Sequence, residues 1–242
     1  MNLIAAADQN WAIGKNNSLL ISIPQDMRFF RETTSGKVVV MGRKTLESFP
    51  GGKPLKNRVN IVLTSNPDYS KEGVIVIHSP KELPEILQAF QKTRETRETQ
   101  KTQEPQESQI PLTLQLTPQE VQQLQRTQKT PELQRTQETQ EPQRTQETPE
   151  LQKPQDPQIL QKSLMSQGDI SDDVFVIGGG SIYTLFLPLC DTAYITRIEK
   201  AFEADTYFPN LDQLDDWQIV EQSETFEYEG IRYSFVIYRR TS

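Results

Sequence analysis

Short apolar runs bounded by turn residues recur at both ends of the chain and predict the strands of a sheet. These runs lie at residues 3–7, 37–41, 59–64, 74–77, 174–177, 192–198, 225–230 and 233–240. Stretches of helical character lie between several of them, at 24–34, 43–49, 79–90 and 181–189. This alternation predicts an α/β protein with a mostly parallel sheet that is covered on both faces. Only a few residues around Gly230 join the last two runs, which indicates an antiparallel C-terminal hairpin.

Residues 91–167 interrupt this pattern. They contain no aromatic residue, and Gln, Thr, Glu and Pro recur throughout them. Within them, residues 124–159 read as four nine-residue units, a spacing that places successive leucines on opposite faces of a helix. We therefore predict a low-complexity insert that is disordered, except for a short amphipathic helix that begins near Thr117.

All Phe, Tyr and Trp residues lie in residues 1–90 or 168–242, so we predict that these two segments form a single domain. The insert falls in a helix-to-strand connection. A surface position of this kind tolerates added length because the cost of loop closure grows slowly with length. The insert is then either a neutral expansion or a segment that docks on another molecule.

Charge and composition exclude several classes of function. The net charge of -7 argues against nucleic acid as the main partner. Cys190 is the single cysteine, so it cannot form an internal disulfide, and its apolar neighbours predict a buried side chain. A single histidine, His78, gives no basis for a metal site; it is either an exposed strand-end residue or a contact to the adenosine end of a cofactor. With no signal-peptide pattern and no long apolar run, we expect a cytoplasmic protein that is a monomer and binds no membrane.

Two strand-to-helix turns carry glycines. Gly42 leads from one predicted strand into a helix that starts with Arg43 and Lys44, and residues 178–180 lead from a second strand into another helix. Helix N-termini present free N–H groups, and glycines let the backbone approach a phosphate. The pair suits a dinucleotide pyrophosphate, and the two cations with Ser65 suit a 2′-phosphate, which favours NADPH over NADH. Neither turn matches G-x-G-x-x-G, and a tight structural turn is the alternative for each.

Two charged residues are candidates for substrate binding. Asp26 opens a predicted helix, where a carboxylate can simply interact with the helix dipole. Alternatively it faces an apolar pocket, where burial would raise its pKa and let it anchor a cationic or amide-like heterocycle. Arg58 follows a loop rich in Gly and Pro, and it either faces solvent or grips a substrate carboxylate with two hydrogen bonds.

Seven motifs occur in an order that resembles the dihydrofolate reductase family: LIAAADQNWAIGKNN, IPQDMRFFRETT, VVVMGRKTLES, PLKNRVNIVLTSN, VFVIGGGSIY, YITRI and EADTYFP. The resemblance covers essentially all of the chain outside the insert. It implies a mainly parallel eight-stranded sheet with flanking helices on both faces. It also implies hydride transfer from NADPH to C6 of 7,8-dihydrofolate with protonation at N5, giving tetrahydrofolate.

The resemblance also implies roles for individual residues. Asp26 matches the carboxylate that binds the pterin and promotes protonation, Thr196 matches the hydroxyl that supports it, and Arg58 matches the residue that grips the glutamate tail. Further substrate contacts are implied for Ala5, Met27, Phe30, Phe49 and Leu55. Cofactor contacts are implied for Ala6, Ile13, Gly14, Gly42, Arg43, Lys44, Thr45, Leu63, Ser65, Ile177, Gly178, Gly179, Gly180, Ser181 and Ile182. A cis peptide is expected between Gly178 and Gly179.

One departure from the family and two alternatives qualify this expectation. Ile21 stands where most members have a tryptophan, which leaves the details of water-mediated protonation open. Another NADPH reductase of the same fold, of the pyrimidine reductase type, is one alternative, and the pairing of Asp26 with Arg58 argues against it. The other is a scaffold that acts through the repeats. A steady-state assay would separate the scaffold from an active reductase.

Overall fold

The computed structural model describes residues 1–101 and 170–241, which form an α/β fold. The strands are β1 (Asn2–Ala7), β2 (Ala12–Lys15), β3 (Ser18–Leu19), β4 (Val38–Gly42), β5 (Val59–Leu63), β6 (Ile75–Ile77), β7 (Val174–Gly178), β8 (Thr192–Ile198), β9 (Thr206–Tyr207), β10 (Trp217–Gln222), β11 (Phe226–Tyr228) and β12 (Ile231–Arg240). The α-helices are α1 (Pro24–Thr34), α2 (Arg43–Ser48), α3 (Leu83–Lys101) and α4 (Gly180–Phe186). Short 3-10 segments lie at Pro50–Gly52, Pro80–Glu82, Ile170–Asp173, Leu187–Leu189 and Leu211–Gln213.

The main sheet follows the order β10-β12-β8-β1-β7-β4-β5-β6, and β11 pairs with β12 outside this path. The strand pairs from β8 to β6 are all parallel. The remaining pairs, at the β12 end of the sheet, are antiparallel. The predicted mainly parallel sheet with an antiparallel C-terminal hairpin is therefore confirmed, and the path along the sheet has eight strands.

Side chains that alternate along the strands build a core on each face of the sheet. On β4, Val38 and Val40 pack into one core with residues of α3 and α4. Val39 and Met41, on the opposite face, pack into a second core with Leu46 of α2 and with aromatic side chains of α1. Both faces of the sheet are covered, and β4 at its centre carries no polar side chain.

The connections that leave the neighbouring strands β1 and β7 run in opposite directions along the sheet. The chain leaves β1 and reaches β4 on the far side of β7, whereas it leaves β7 and reaches β8 on the far side of β1. Neighbouring strands whose connections leave in opposite directions open a crevice at their carboxyl ends, which is where ligands bind in open α/β sheets. Ala7 and Gly178 mark this edge of the sheet.

Several elements differ from the predicted pattern. A second, three-stranded sheet of β3, β2 and β9 was not predicted, and neither was β10 at the edge of the main sheet. The region predicted as one helix at 181–189 is α4 followed by a 3-10 turn, because Pro188 cannot continue the α-helical hydrogen bonding. The helix predicted at 79–90 is capped by Ser79 and Glu82 and continues to Lys101, beyond the expected start of the insert.

Some predictions fall outside the described residues, namely the disorder of most of the insert and the helix that begins near Thr117.

Cys190 is buried as predicted, and burial raises the pKa of its thiol to about 12. No helix within residues 1–101 and 170–241 is both long and apolar enough to cross a membrane.

Candidate active site

A partly buried carboxylate lies at the carboxyl edge of the sheet. Asp26 is in the first turn of α1, a helix that starts at Pro24, where the missing N–H of proline costs nothing. The hydroxyl of Thr196, on β8, donates a hydrogen bond of 2.6 Å to Oδ1 of Asp26. Burial raises the pKa of Asp26, and the hydrogen bond from Thr196 opposes that rise. The carboxyl group therefore holds a proton more readily than an aspartate in water does.

Apolar side chains lie on α1, the helix that carries Asp26, and on the segment that follows α2. Phe30, Phe49 and Leu55 are partly buried and pack against the same core, so α1 and the segment after α2 share a wall. Met27 is 41% exposed at the rim. The predicted substrate contact Ala5 is partly buried on β1. Ala5 packs against the core on the opposite face of the sheet from Phe30, Phe49 and Leu55, and Met27 is the most exposed of the five.

Arg58 is held against the C-terminal end of α1. Its Nε donates to the hydroxyl of Thr34 at 2.8 Å, and its terminal nitrogens donate to the carbonyls of Lys56 and Arg31 at 2.8 and 3.0 Å. Its guanidinium carbon lies 5.8 Å from the centre of the Phe30 ring. These bonds fix the orientation of the guanidinium group and leave one N–H on each terminal nitrogen for a ligand. Burial and the charge of Arg31 lower the pKa of Arg58.

The two glycine turns lie side by side because β4 and β7 are paired, with Met41 opposite Gly178. A Cβ on Gly42 would lie 3.0 Å from Cγ1 of Ile182, and a Cβ on Gly179 would lie 3.4 Å from Oγ1 of Thr45. Each turn therefore contacts the helix that follows the other. The expected cis peptide is present between Gly178 and Gly179. Bare backbone at the starts of α2 and α4 gives a surface that fits phosphate groups.

The other predicted cofactor residues lie around these turns. Ala6 is opposite Thr196 in the pairing of β1 with β8. Ile13 and Gly14 lie on β2. Leu63 ends β5, and Ile177 and Gly178 end β7. Gly180, Ser181 and Ile182 form the first turn of α4.

The residues predicted to bind a 2′-phosphate are Arg43, Lys44 and Ser65. They are less closely assembled than the residues around the glycine turns. Nη1 of Arg43 donates to both carboxylate oxygens of Glu47, one turn further along α2, at 2.7 and 2.8 Å. Lys44 and Ser65 are exposed. His78 is also exposed, and its Nδ1 lies 2.9 Å from the carbonyl oxygen of Thr64.

Two residues that shape the site, Tyr183 and Asp205, were not predicted from the sequence. The hydroxyl of Tyr183, on α4, donates to the carbonyl of Ile4 at 2.6 Å, and this tyrosine lies against Gly178. A carboxylate oxygen of Asp205 accepts from the backbone N–H of Asn16 at 2.8 Å, which holds the turn between β2 and β3. The helical pattern around Tyr183 predicted packing alone. The partners of Asp205 lie far away in sequence, so no local pattern signalled them.

The fold and site define an α/β enzyme in which a partly buried carboxylic acid shares the carboxyl edge of the sheet with two glycine turns. A family model described as dihydrofolate reductase matches residues 1–98 and 138–240. The chain therefore belongs to the dihydrofolate reductase family, a family of oxidoreductases. Of the two reductase families considered from the sequence, the match is to this one.

Individual relatives agree with the family match. The chain is similar to a dihydrofolate reductase of Bacillus subtilis, at 28% identity over 99% of this chain and 94% of the relative. It is 42% identical to a dihydrofolate reductase of Staphylococcus aureus over 34% of this chain and 51% of the relative. The structure resembles that of dihydrofolate reductase from Enterococcus faecalis complexed with NADP(H) and RAB-propyl. That similarity has a TM-score of 0.58 and 26% identity, and it covers 100% of this chain and 96% of the other.

Proposed function

We propose that the protein reduces 7,8-dihydrofolate to 5,6,7,8-tetrahydrofolate with NADPH, by hydride transfer to C6 and protonation at N5. The observation that carries this proposal is the partly buried Asp26, whose pKa is raised and which Thr196 holds at the carboxyl edge of the sheet. The family match and the similarity to an NADP(H) complex support the same reaction.

Asp26 is proposed to bind the amino-pyrimidine edge of the pterin and to promote protonation at N5. Thr196 occupies Oδ1, so Oδ2 is available to a ligand. A carboxyl group whose pKa is raised by burial is protonated in a larger fraction of molecules near neutral pH, which suits general acid catalysis. Thr196 fixes the rotamer of the acid and keeps its pKa from rising further.

The cofactor is proposed to lie along the carboxyl edge with its pyrophosphate at the two glycine turns. The first turns of α2 and α4 offer backbone N–H groups there, and Gly42 and Gly179 leave the backbone open to close approach. Arg43, Lys44 and Ser65 are proposed to contact the 2′-phosphate. Among the described residues, Arg43 bonds to Glu47 through Nη1 alone, which leaves Nε and Nη2 for that phosphate. When bound, NADPH supplies the hydride.

The substrate is proposed to extend from Asp26 to Arg58 along the apolar wall. The guanidinium group of Arg58 keeps one N–H on each terminal nitrogen, which matches the two oxygens of the α-carboxylate of the glutamate tail. Phe30, Phe49 and Leu55 exclude water along the wall. Excluding water strengthens the electrostatic interactions of the carboxyl group with the substrate.

We also propose that residues 1–90 and 168–242 form one catalytic domain and that the protein acts as a cytoplasmic monomer. Pairing of β1, from the first segment, with β7 and β8, from the second, supports the single domain. Size-exclusion chromatography with light scattering measures the oligomeric state, and a dimer would contradict the proposed monomer.

The test of function is a spectrophotometric assay of NADPH oxidation in the presence of dihydrofolate. We expect turnover that depends on both compounds, is much weaker with NADH and is blocked by an antifolate. The full-length chain with Asp26→Asn is the matched control for a contaminating reductase. Absence of dihydrofolate-dependent oxidation in the folded wild-type protein would refute the proposed reaction.

A further inference from the structure

The side chain of Tyr233 is completely buried on β12, yet within the described residues its hydroxyl has no hydrogen-bond partner. A buried hydroxyl group without a partner is unfavourable, and such groups are rare in folded proteins. Packing alone therefore does not explain why a tyrosine, with its hydroxyl group, occupies this position.

The register of the sheet places Tyr233 on the same face as Thr196, the residue that bonds the proposed acid. On β12, Tyr233 is opposite Ile198 and Phe235 is opposite Thr196. Alternate residues of a strand lie on the same face, so Tyr233 and Phe235 share one face. The ring of Phe235 lies 4.7 Å from that of Phe29 on α1, which identifies this face as the one that α1 covers.

The cluster around Tyr233 is apolar and belongs to the same corner of the molecule. Ile23, the residue before α1, and Ile198 are its buried members. Ala6 and Ile21 pack against it and contribute no side-chain donor. Burial raises the pKa of Tyr233, and the charge of Asp26 raises it further.

The carboxylate of Asp26 interacts with hydroxyl groups on three elements, by a hydrogen bond in one case and by its charge in the other two. Thr196, on β8, donates directly to the carboxylate. Tyr183, on α4, feels the charge of Asp26 but donates its hydroxyl to the carbonyl of Ile4. Tyr233, on β12, is the third. In the described part of the chain it is the one hydroxyl of the three that is not already committed, and no cation contributes to the pKa shift of Asp26.

We propose that Tyr233 is a positioning residue for Asp26, whose hydroxyl donates through a buried water to the carboxyl oxygen that Thr196 leaves available. A buried water needs two to four polar partners, and the Tyr233 hydroxyl and the Asp26 carboxylate supply two. This inference rests on the proposed function, in which Asp26 is the acid. Tyr233 then stabilises the charged form of Asp26 and, together with Thr196, limits the rise in pKa that burial causes.

The test compares Tyr233→Phe with the wild-type protein. Phenylalanine fills the same volume, so the fold is retained while the hydroxyl is removed. The matched control is Tyr228→Phe, which removes a hydroxyl from a neighbouring strand that contacts Glu229 instead of Asp26. The pKa of Asp26 is read directly from the ligand-free protein by carbon-13 NMR of labelled aspartate across a pH titration.

We expect Tyr233→Phe to raise the pKa of Asp26 by about half a unit or more, and to shift the alkaline limb of the kcat profile in the same direction. Tyr228→Phe should change neither quantity. We also expect Tyr233→Phe to lower the melting temperature, because a hydrogen bond is lost. An unchanged pKa of Asp26, or a higher melting temperature from removal of an unpaired hydroxyl, would overturn the proposal.

The NMR titration requires no turnover, so it separates the two proposals. If the wild-type protein fails to oxidise NADPH with dihydrofolate, the proposed reaction fails, while a shift of the Asp26 pKa in Tyr233→Phe still establishes the coupling. If turnover is normal and the pKa is unmoved, the reaction stands and the role of Tyr233 fails.

Discussion

The hydroxyl of Thr196 lies 2.6 Å from Oδ1 of Asp26 and joins β8 to the first turn of α1 across 170 positions of sequence. The two residues come from opposite sides of the insert. The acid is thus built only when both segments of the chain have folded together.

Asp26→Asn should lower kcat/KM for dihydrofolate by about 10²- to 10⁴-fold at neutral pH, the range expected for loss of general acid catalysis. Binding of NADPH should hardly change, because the glycine turns are untouched. Steady-state kinetics and a fluorescence titration with NADPH measure the two effects. Normal turnover in this variant would remove Asp26 from the mechanism.

Asp26→Asn is also expected to change the stability of the protein. Because the folded-state pKa of Asp26 is raised, its contribution to stability is fully present below the unfolded-state pKa and is lost as the pH rises through the folded-state pKa. Asp26→Asn should therefore melt at a higher temperature than the wild type at neutral pH, and this advantage should disappear in acid. Calorimetry at several pH values checks the sign.

Thr196→Val should lower kcat/KM about tenfold at neutral pH, which corresponds to the loss of one hydrogen bond to a charged group. The alkaline limb of the pH profile should move to higher pH, because the bond that opposes the raised pKa of Asp26 is gone. Thr196→Ser should restore most of the activity. Thr192→Val is the control on the same strand, since its hydroxyl bonds to Asp191. An unchanged pH profile in Thr196→Val would contradict the proposed role of Thr196 in lowering the pKa of Asp26.

Arg58→Lys should raise KM for dihydrofolate about tenfold or more, because lysine cannot reproduce a bidentate grip. The KM for 6-methyl-7,8-dihydropterin, which lacks the glutamate tail, should not change. Thr34→Val removes the hydroxyl that accepts from Nε, and it should produce a weaker form of the same effect. Equal losses for both substrates would show that Arg58 acts on the fold and not on the tail.

Gly180→Ala should destabilise the protein by about 1–3 kcal/mol, the usual cost of overpacking. The added Cβ would lie 2.8 Å from the carbonyl oxygen of Tyr207, which is backbone of β9 and cannot turn aside. Gly42→Ala should cost less, because its nearest neighbour is the side chain of Ile182. Urea denaturation of both variants tests this order, and the reverse order would contradict it.

Deletion of residues 92–167, bridged by a short linker, should preserve folding and dihydrofolate reduction. Phe90 is the last buried side chain in the described part of α3, so the core should lose nothing. Expression, melting temperature and turnover are measured against the full-length chain. An inactive or insoluble protein with a bridge long enough to span the gap would show that the insert does more than add length.

The fold was largely predictable because its central strands are continuous apolar runs. β4, β5 and β7 are buried or nearly so at every position, and each was found in the sequence. β3 is two residues long with both side chains exposed, and β10 buries only Trp217. Such strands form because a neighbouring strand offers hydrogen bonds, and their own sequence carries little signal.

The site was predictable where its residues are adjacent in sequence, as in the two glycine turns. Spacing alone left the position of Asp26 open between a helix-dipole contact and a buried acid. That choice depends on Thr196, which no local pattern connects to α1. The role of Tyr233 could not be predicted from the sequence for the same reason, because strand register determines its surroundings.

The order of strands has a consequence for the synthesis of the protein. The strand that belongs between β1 and β4, β7, lies after the insert, so both of its neighbours leave the ribosome with an unpaired edge. At translation rates of about 5–20 residues per second, residues 91–167 prolong that exposure by roughly 4 to 15 s. The polar repeats thus delay the synthesis of the second half of the sheet relative to the first. Until the second half is translated, those unpaired edges are open to pairing with other chains.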